Sequence, residues 1–78
     1  MCMPKLPAVT PKRFEKMVLK LGFWLSHTRG SHRYYVHSDK RIVCIAMHSR
    51  DIPKGTLFAM IKDLKLSNQE FVEWLKKV

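Results

Sequence analysis

Two apolar stripes with helical spacing, one on each side of the middle of the chain, limit most strongly the folds open to this sequence. In each stripe, large apolar residues recur at positions i, i+3, i+4 and i+7, the pattern of a helix with one buried face. The first stripe is Phe14, Met17, Val18 and Leu21, and the second is Leu57, Met60, Ile61 and Leu64. Both predicted helices need an apolar surface to pack against, and the segment between them must supply it.

The ends of the predicted helices carry recognisable capping residues. Thr10 followed by Pro11 is a favourable start for the first helix, because proline lacks the N–H that would be unpaired there. Gly22 is placed to end that helix as its C-terminal cap. Ser67 and Glu70 have the spacing of a capping box and announce a short last helix. Its predicted buried face consists of Phe71, Trp74 and Leu75.

Three strands are predicted between the two stripes, over residues 23–28, 32–37 and 42–47. Residues 38–41 form a short connection, which makes the second and third strands antiparallel. Trp24 is expected to pack in the core, because a small domain needs large apolar anchors. The predicted fold is α+β with the order α-β-β-β-α and a short C-terminal helix, both main helices lying on one face of a three-stranded antiparallel sheet.

The 78 residues predict a single domain over 1–78 with one modest core. Residues 1–9 carry two prolines and are expected to form an extended lead-in that lays Leu6 or Val9 on the body of the protein. No stretch approaches the ~20 apolar residues that a membrane-spanning helix needs, and no signal-peptide core is recognised.

The cysteines and histidines do not form a recognisable metal or redox motif. Cys2 and Cys44 are 42 positions apart, so a reducing, cytoplasmic setting is expected, with Cys44 as a small buried residue. The carboxylates are scattered, and the histidines lie on separate segments, so no metal and no other cofactor is expected. His27 and His37 are interpreted as surface residues.

The charge of the chain indicates a polyanionic partner. Fifteen lysines and arginines stand against six acidic residues, for a formal net charge of +9. Several of the cations cluster around Gly30 and between Ser49 and Lys54. A strongly basic balance of this kind is typical of proteins that bind nucleic acid or an acidic protein.

The segment from Arg29 to Tyr35 has the composition of an RNA-handling site. Gly30 permits a tight turn, and His32 follows two positions later. Histidine can accept and return a proton near neutral pH, as activation of a ribose 2′-hydroxyl requires, so His32 is the candidate general base. Arg29 and Arg33 are expected to neutralise the phosphate, and Gly30 and Ser31 to contact RNA.

The hairpin predicts which other residues lie near His32. If its turn closes tightly, His32 faces Met47 or His48, so the two histidines share one end of the sheet. The register is open by one residue, and that residue decides whether Tyr34 or Tyr35 points into the core.

The general acid of such a reaction has three candidates in the sequence. His48 is favoured by its predicted position, and Lys54 and Arg33 by their charge. Arg50 and Lys54 are also expected to bind RNA, since they lie in a cationic loop that leads into a helix.

Six short segments together resemble the HicA toxins of bacterial and archaeal toxin–antitoxin pairs, from Met3 to about Leu75. They are Met3-Pro4-Lys5-Leu6-Pro7, Gly30-Ser31-His32-Arg33, His37-Ser38-Asp39-Lys40-Arg41, His48-Ser49-Arg50-Asp51-Ile52, Gly55-Thr56-Leu57 and Ser67-Asn68-Gln69-Glu70-Phe71. Met1 and Cys2 precede the usual start of that family, and Ala46 stands where many of its members have proline.

The resemblance implies a fold like that of the double-stranded-RNA-binding domain and an endoribonuclease that cuts messenger RNA until a HicB antitoxin binds it. It also places His32 at the position of the family's catalytic histidine. Two alternatives come from the residues alone. One is a non-catalytic module that grips A-form RNA by shape and phosphate contacts, and the other is a small DNA-binding or ribosome-associated protein.

Overall fold

The computed structural model describes residues 6–78 and confirms the predicted order of elements. Helix α1 spans Pro11–Lys20, strands β1, β2 and β3 span Trp24–Arg29, His32–Val36 and Ile42–Ala46, and helices α2 and α3 span Lys54–Asp63 and Asn68–Leu75. The strands form one antiparallel sheet in the order β1-β2-β3, so β2 is central. No helix in this part of the chain has both the length and the apolar character needed to cross a membrane.

The predicted helix ends are present. The Thr10 hydroxyl accepts a hydrogen bond from the backbone N–H of Arg13 at 3.3 Å, and α1 begins directly after it. Gly22 follows α1 with a φ of 99°, a conformation that favours glycine. Ser67 and Glu70 form the complete capping box at the start of α3. Local side-chain chemistry thus sets where these helices begin and end.

The core lies between the sheet and the helices. Both apolar stripes contribute to it, and so do Tyr35, Val43 and Ile45 from the inner face of the sheet. Leu6 and Val9 are both buried, as expected for a lead-in that runs along the body. The first five residues of the predicted lead-in 1–9 lie outside the described residues. Both main helices therefore share one core with the inner face of the sheet.

Three expectations about burial are wrong. Trp24 is 50% exposed, because it lies on the edge strand β1, where every residue is exposed, and Phe23 takes the core position just before it. Cys44 is only half-buried, since it alternates with the inward-facing residues of β3 and points away from the core. The ring of His37 is half-buried and packs edge-on against Phe23 with centroids 5.1 Å apart.

The register between β2 and β3 determines which of Tyr34 and Tyr35 points into the core. His32 pairs with Ala46 and not with the predicted Met47 or His48, and Tyr35 pairs with Val43. Tyr35 is 2% exposed and belongs to the core, whereas Tyr34 points to the opposite face. The same alternation places His32 on the face that points away from the core.

Glu15 joins α1 to the central strand. Its carboxylate accepts a hydrogen bond from Arg33 at 2.7 Å and another from the hydroxyl of Tyr35. Partial burial alone would raise the pKa of Glu15, but the hydrogen bonds from Tyr35 and Arg33 outweigh it, and the pKa lies below its ordinary value of 4.5. The polar end of a buried tyrosine is thereby satisfied, and β2 is tied to the helix above it.

We expect Glu15→Gln to lower the free energy of unfolding by about 1.5–3 kcal/mol, the range for hydrogen bonds to a charged group. Because the folded-state pKa of Glu15 is lowered, its stabilisation is complete above the unfolded-state pKa and is lost as pH falls through the folded-state pKa. Urea unfolding at several pH values should therefore show the difference from wild type shrinking below about pH 4.5.

Glu73→Gln is the matched control, since Glu73 is an exposed helical glutamate on α3. Equal effects of the two substitutions at neutral pH would show that the contacts of Glu15 contribute nothing special to stability.

Candidate functional site

Three of the predicted site residues line one cavity. His32, His48 and Arg50 lie along a groove of about 450 Å³ between β3 and α2, which we call the histidine groove. A volume of this size is within the range of small-molecule sites in proteins. The remaining lining residues are Pro11, Cys44, Ala46, Asp51, Ile52, Pro53, Thr56, Ala59, Met60 and Asp63.

His32 borders the groove from the start of β2, and His48 borders it from the loop just after β3. His32 is the first residue of β2 and lies across from Ala46, the last residue of β3. The backbone N–H of Met47 donates to the carbonyl of Ser31 at 2.7 Å, which continues the pairing past the strand end. His48 follows at once, so the two histidines share one end of the sheet, as predicted. His48 also borders a second cavity, of about 470 Å³.

The loop after β3 is held in place by the segment that precedes α1. The backbone N–H of Ile52 donates to the carbonyl of Val9 at 2.8 Å, and the side chain of Ile52 is buried. Arg50 is exposed, lies two residues before this anchor and borders the groove. A single buried residue thus fixes the path of a short loop that presents both His48 and Arg50.

The turn between β1 and β2 forms the tip of the sheet next to His32. Gly30 has a φ of 58°, in the left-handed region that only glycine adopts freely, and a β-carbon at this position would meet no atom within 4 Å. Arg29 pairs with His32 across the two strands. Arg29 and Ser31 are exposed but do not line the histidine groove. They therefore lie beside His32 but outside the groove.

Arg33 and Lys54 have different surroundings from the other cations. Arg33 points to the helix-covered face of β2, where Glu15 holds its guanidinium, although 43% of the Arg33 side chain stays exposed. The hydrogen bond that Arg33 donates to the Glu15 carboxylate raises the pKa of Arg33 above its ordinary value. Lys54 begins α2 and is exposed, outside the groove lining. The structure therefore brings Arg50, rather than Arg33, together with the two histidines.

The ionisable residues of the groove lie toward its two ends. His48 and Arg50 lie just after β3 and precede α2, whereas Asp63 is the last residue of α2. Arg41, just before β3, donates to the carbonyl of Leu64 at 2.7 Å, so the end of α2 lies near the start of β3. The end of the groove at the loop after β3 therefore has His32, His48, Arg50 and Asp51, and the end near the start of β3 has Asp63.

Sequence reasoning missed the walls and the base of this groove. Cys44 and Ala46 form its base because they alternate with the buried residues of β3, and Thr56, Ala59 and Asp63 come from one side of α2. The sequence signal was that Cys44 and Ala46 are small residues within an apolar strand. The following helix also has short side chains, at Thr56 and Ala59, outside its apolar stripe. Between residues 6 and 78, no cluster of three or more potential metal ligands is formed.

A family model provides the comparison that decides the class of the protein. The model of the HicA toxin of bacterial toxin–antitoxin systems matches residues 11–66. The chain belongs to the HicA toxin family. A comparison with curated proteins finds no match.

The HicA match covers the whole candidate site. Its range extends from the first residue of α1 past the end of α2 and includes every residue that lines the histidine groove, whereas α3 lies outside it. Membership of the HicA family makes this chain the toxin of a toxin–antitoxin pair and implies an antitoxin partner.

Proposed function

We propose that this HicA toxin is an endoribonuclease that cuts messenger RNA with His32 as general base. The observation that carries the proposal is that His32, His48 and Arg50 meet in one groove of a HicA-family chain. Cleavage of a ribose–phosphate backbone needs two groups that can exchange protons and one permanently charged cation. Because the substrate is messenger RNA, we place the activity in the cytoplasm.

The proposed reaction is an attack by the ribose on its own phosphate. His32 removes the proton from the 2′-hydroxyl as the O2′–P bond forms, and the P–O5′ bond breaks in line. The leaving 5′-oxygen takes a proton from the imidazolium of His48. The products are a 2′,3′-cyclic phosphate and a 5′-hydroxyl end, so atoms and charges balance without any other reactant.

The cations are proposed to have different roles, according to their positions. Arg50 lies in the groove with the histidines and is proposed to stabilise the charge that develops on the phosphate. Arg29, Gly30, Ser31 and Lys54 are exposed near the same end and are proposed to hold the RNA backbone. Arg33, held by Glu15 on the other face, is proposed to bind RNA only through its exposed part.

We expect His32→Ala to reduce cleavage of a long RNA by at least about 10²-fold, the lower value for a positioned proton-transfer group. The assay is gel analysis of RNA incubated with each protein in the presence of a chelator. DNA should remain intact with both proteins, because it has no 2′-hydroxyl. His27→Ala is the matched control, since His27 is an exposed histidine on β1 outside the groove.

Two results would contradict this prediction in different ways. Equal cleavage by wild type and His32→Ala would remove His32 from the chemistry. Intact RNA with the folded wild-type protein, together with tight RNA binding, would replace the nuclease with a non-catalytic RNA-binding module.

His48 is tested separately as the general acid. His48→Ala should slow cleavage of RNA by about 10²-fold or more, because the 5′-oxygen is a poor leaving group until it is protonated. A nucleoside 3′-nitrophenyl phosphate has a leaving group that needs no proton, so its cleavage should be nearly unaffected by the substitution. Equal losses on both substrates would exclude His48 as the acid, while His32→Ala should slow both.

The antitoxin is proposed to act by covering the groove. The toxin has a formal net charge of +9, which favours an acidic, HicB-like protein with a complementary surface. Adding the antitoxin should stop cleavage and displace an RNA oligonucleotide that carries a 2′-deoxyribose at the cleavage position. Simultaneous binding of RNA and antitoxin, measured by fluorescence anisotropy and size-exclusion chromatography, would show that the antitoxin acts elsewhere.

A further inference from the structure

We propose that the histidine groove holds the nucleotide whose 2′-hydroxyl reacts, and that Asp63 selects a base that carries an exocyclic amino group. This inference rests on the proposed function, because it assigns the substrate's position in the same site. It adds a base-recognising residue far along the groove from the proton-transfer groups. The predicted preference is for cytosine or adenine over uracil.

The shape of the groove suits a flat ring. Cys44 and Ala46 have small side chains and leave space above β3, and Ala59 leaves space on the facing side of α2. Thr56 and Asp63 are seven positions apart on that helix, which corresponds to about 10 Å at 1.5 Å per residue. The groove is therefore an elongated, largely apolar space between a strand and a helix.

The order of polar groups favours a nucleotide as the occupant. At the end where β3 runs into the loop, His32, His48 and Arg50 offer N–H donors and a positive charge to a phosphate, beside one carboxylate, that of Asp51. At the end of α2, the Asp63 carboxylate accepts hydrogen bonds and cannot donate them while ionised. An occupant that matches both ends has an anion on one side, a flat apolar middle and an N–H donor on the other side. A nucleoside 3′-phosphate with an amino-bearing base has all three.

The amino group is the feature that distinguishes the bases at Asp63. Carboxylates accept hydrogen bonds from the N4 amino group of cytosine in specific recognition, and adenine has its N6 amino group. Uracil has a carbonyl oxygen at the corresponding position. Two acceptors facing each other lose a hydrogen bond and leave the carboxylate without its partner. Cytosine and uracil have nearly the same shape, so this pair isolates the effect of the amino group.

The first experiment requires no catalysis. The ¹⁵N-labelled chain is titrated with cytidine 3′-monophosphate and with uridine 3′-monophosphate, and binding is followed by NMR. We expect shifts at Cys44, Ala46 and Ala59, and an affinity about 5-fold or more higher for the cytidine compound, from the lower part of the range for a specific base contact. Asp63→Asn should reduce that ratio toward one while preserving the shape of the side chain.

The second experiment maps the cleavage sites. A random RNA pool is cut with wild type, Asp63→Asn and Ala59→Leu, and the 2′,3′-cyclic phosphate ends are sequenced. Wild type should cut after cytosine or adenine about 5-fold or more often than after uracil, and Asp63→Asn should lose this bias. Ala59→Leu, which fills the groove, should cut more slowly. Ala8→Leu is the matched control, because Ala8 is exposed and outside the groove.

The two experiments separate failure of this inference from failure of the proposed function. If wild type cuts RNA but neither Asp63→Asn nor Ala59→Leu changes the rate or the sites, the groove does not bind the base, and only the inference is overturned. If wild type does not cut RNA, the nuclease proposal fails, and NMR still decides whether the groove binds a nucleotide. Shifts confined to residues outside the groove, with Cys44 and Ala59 responding only to the antitoxin, would assign the groove to a protein segment and overturn the inference.

Discussion

The hydrogen bonds that Glu15 accepts from Tyr35 and Arg33 are the contact on which the position of His32 depends. They connect the first helix to the central strand, and they satisfy the hydroxyl of a tyrosine that is otherwise in the core. A strand shifted by one residue would expose Tyr35 and bury Tyr34, because side chains alternate between the two faces. The same shift would move His32 to the helix-covered face. The polar contact and the hydrophobic burial therefore favour the same register.

A second constraint is the small size of the outward-facing side chains at the end of β3. Val43 and Ile45 fill the core, whereas Cys44 and Ala46 leave a groove between the strand and α2. Larger side chains at these two positions would close the space beside His32. Strand β3 thus has two functions, since its inner face stabilises the domain and its outer face forms the base of the candidate site.

The positive charge of the chain is not evenly available to a ligand. Arg33 is bound to Glu15, and Arg41 binds both Asp39 and the carbonyl of Leu64, so these cations stabilise the fold. Arg50 lies in the groove, and Arg29 is exposed at the tip of the sheet. A net charge of +9 therefore describes the whole surface, whereas the local ion pairs decide which cations remain for RNA.

The amino-acid sequence by itself determined the elements of this protein. The caps at Thr10 and Ser67 and the apolar stripes depend on residues close together in the chain, so local rules located the helices and strands. Local rules also placed His32 and His48 at one end of a hairpin. Only the tertiary structure decided the one-residue register, the exposure of Trp24, the partner of Arg33 and the groove that leads to Asp63. These features depend on contacts between segments that are distant in the sequence, where packing and hydrogen-bond satisfaction select one arrangement among several that the local pattern allows equally well.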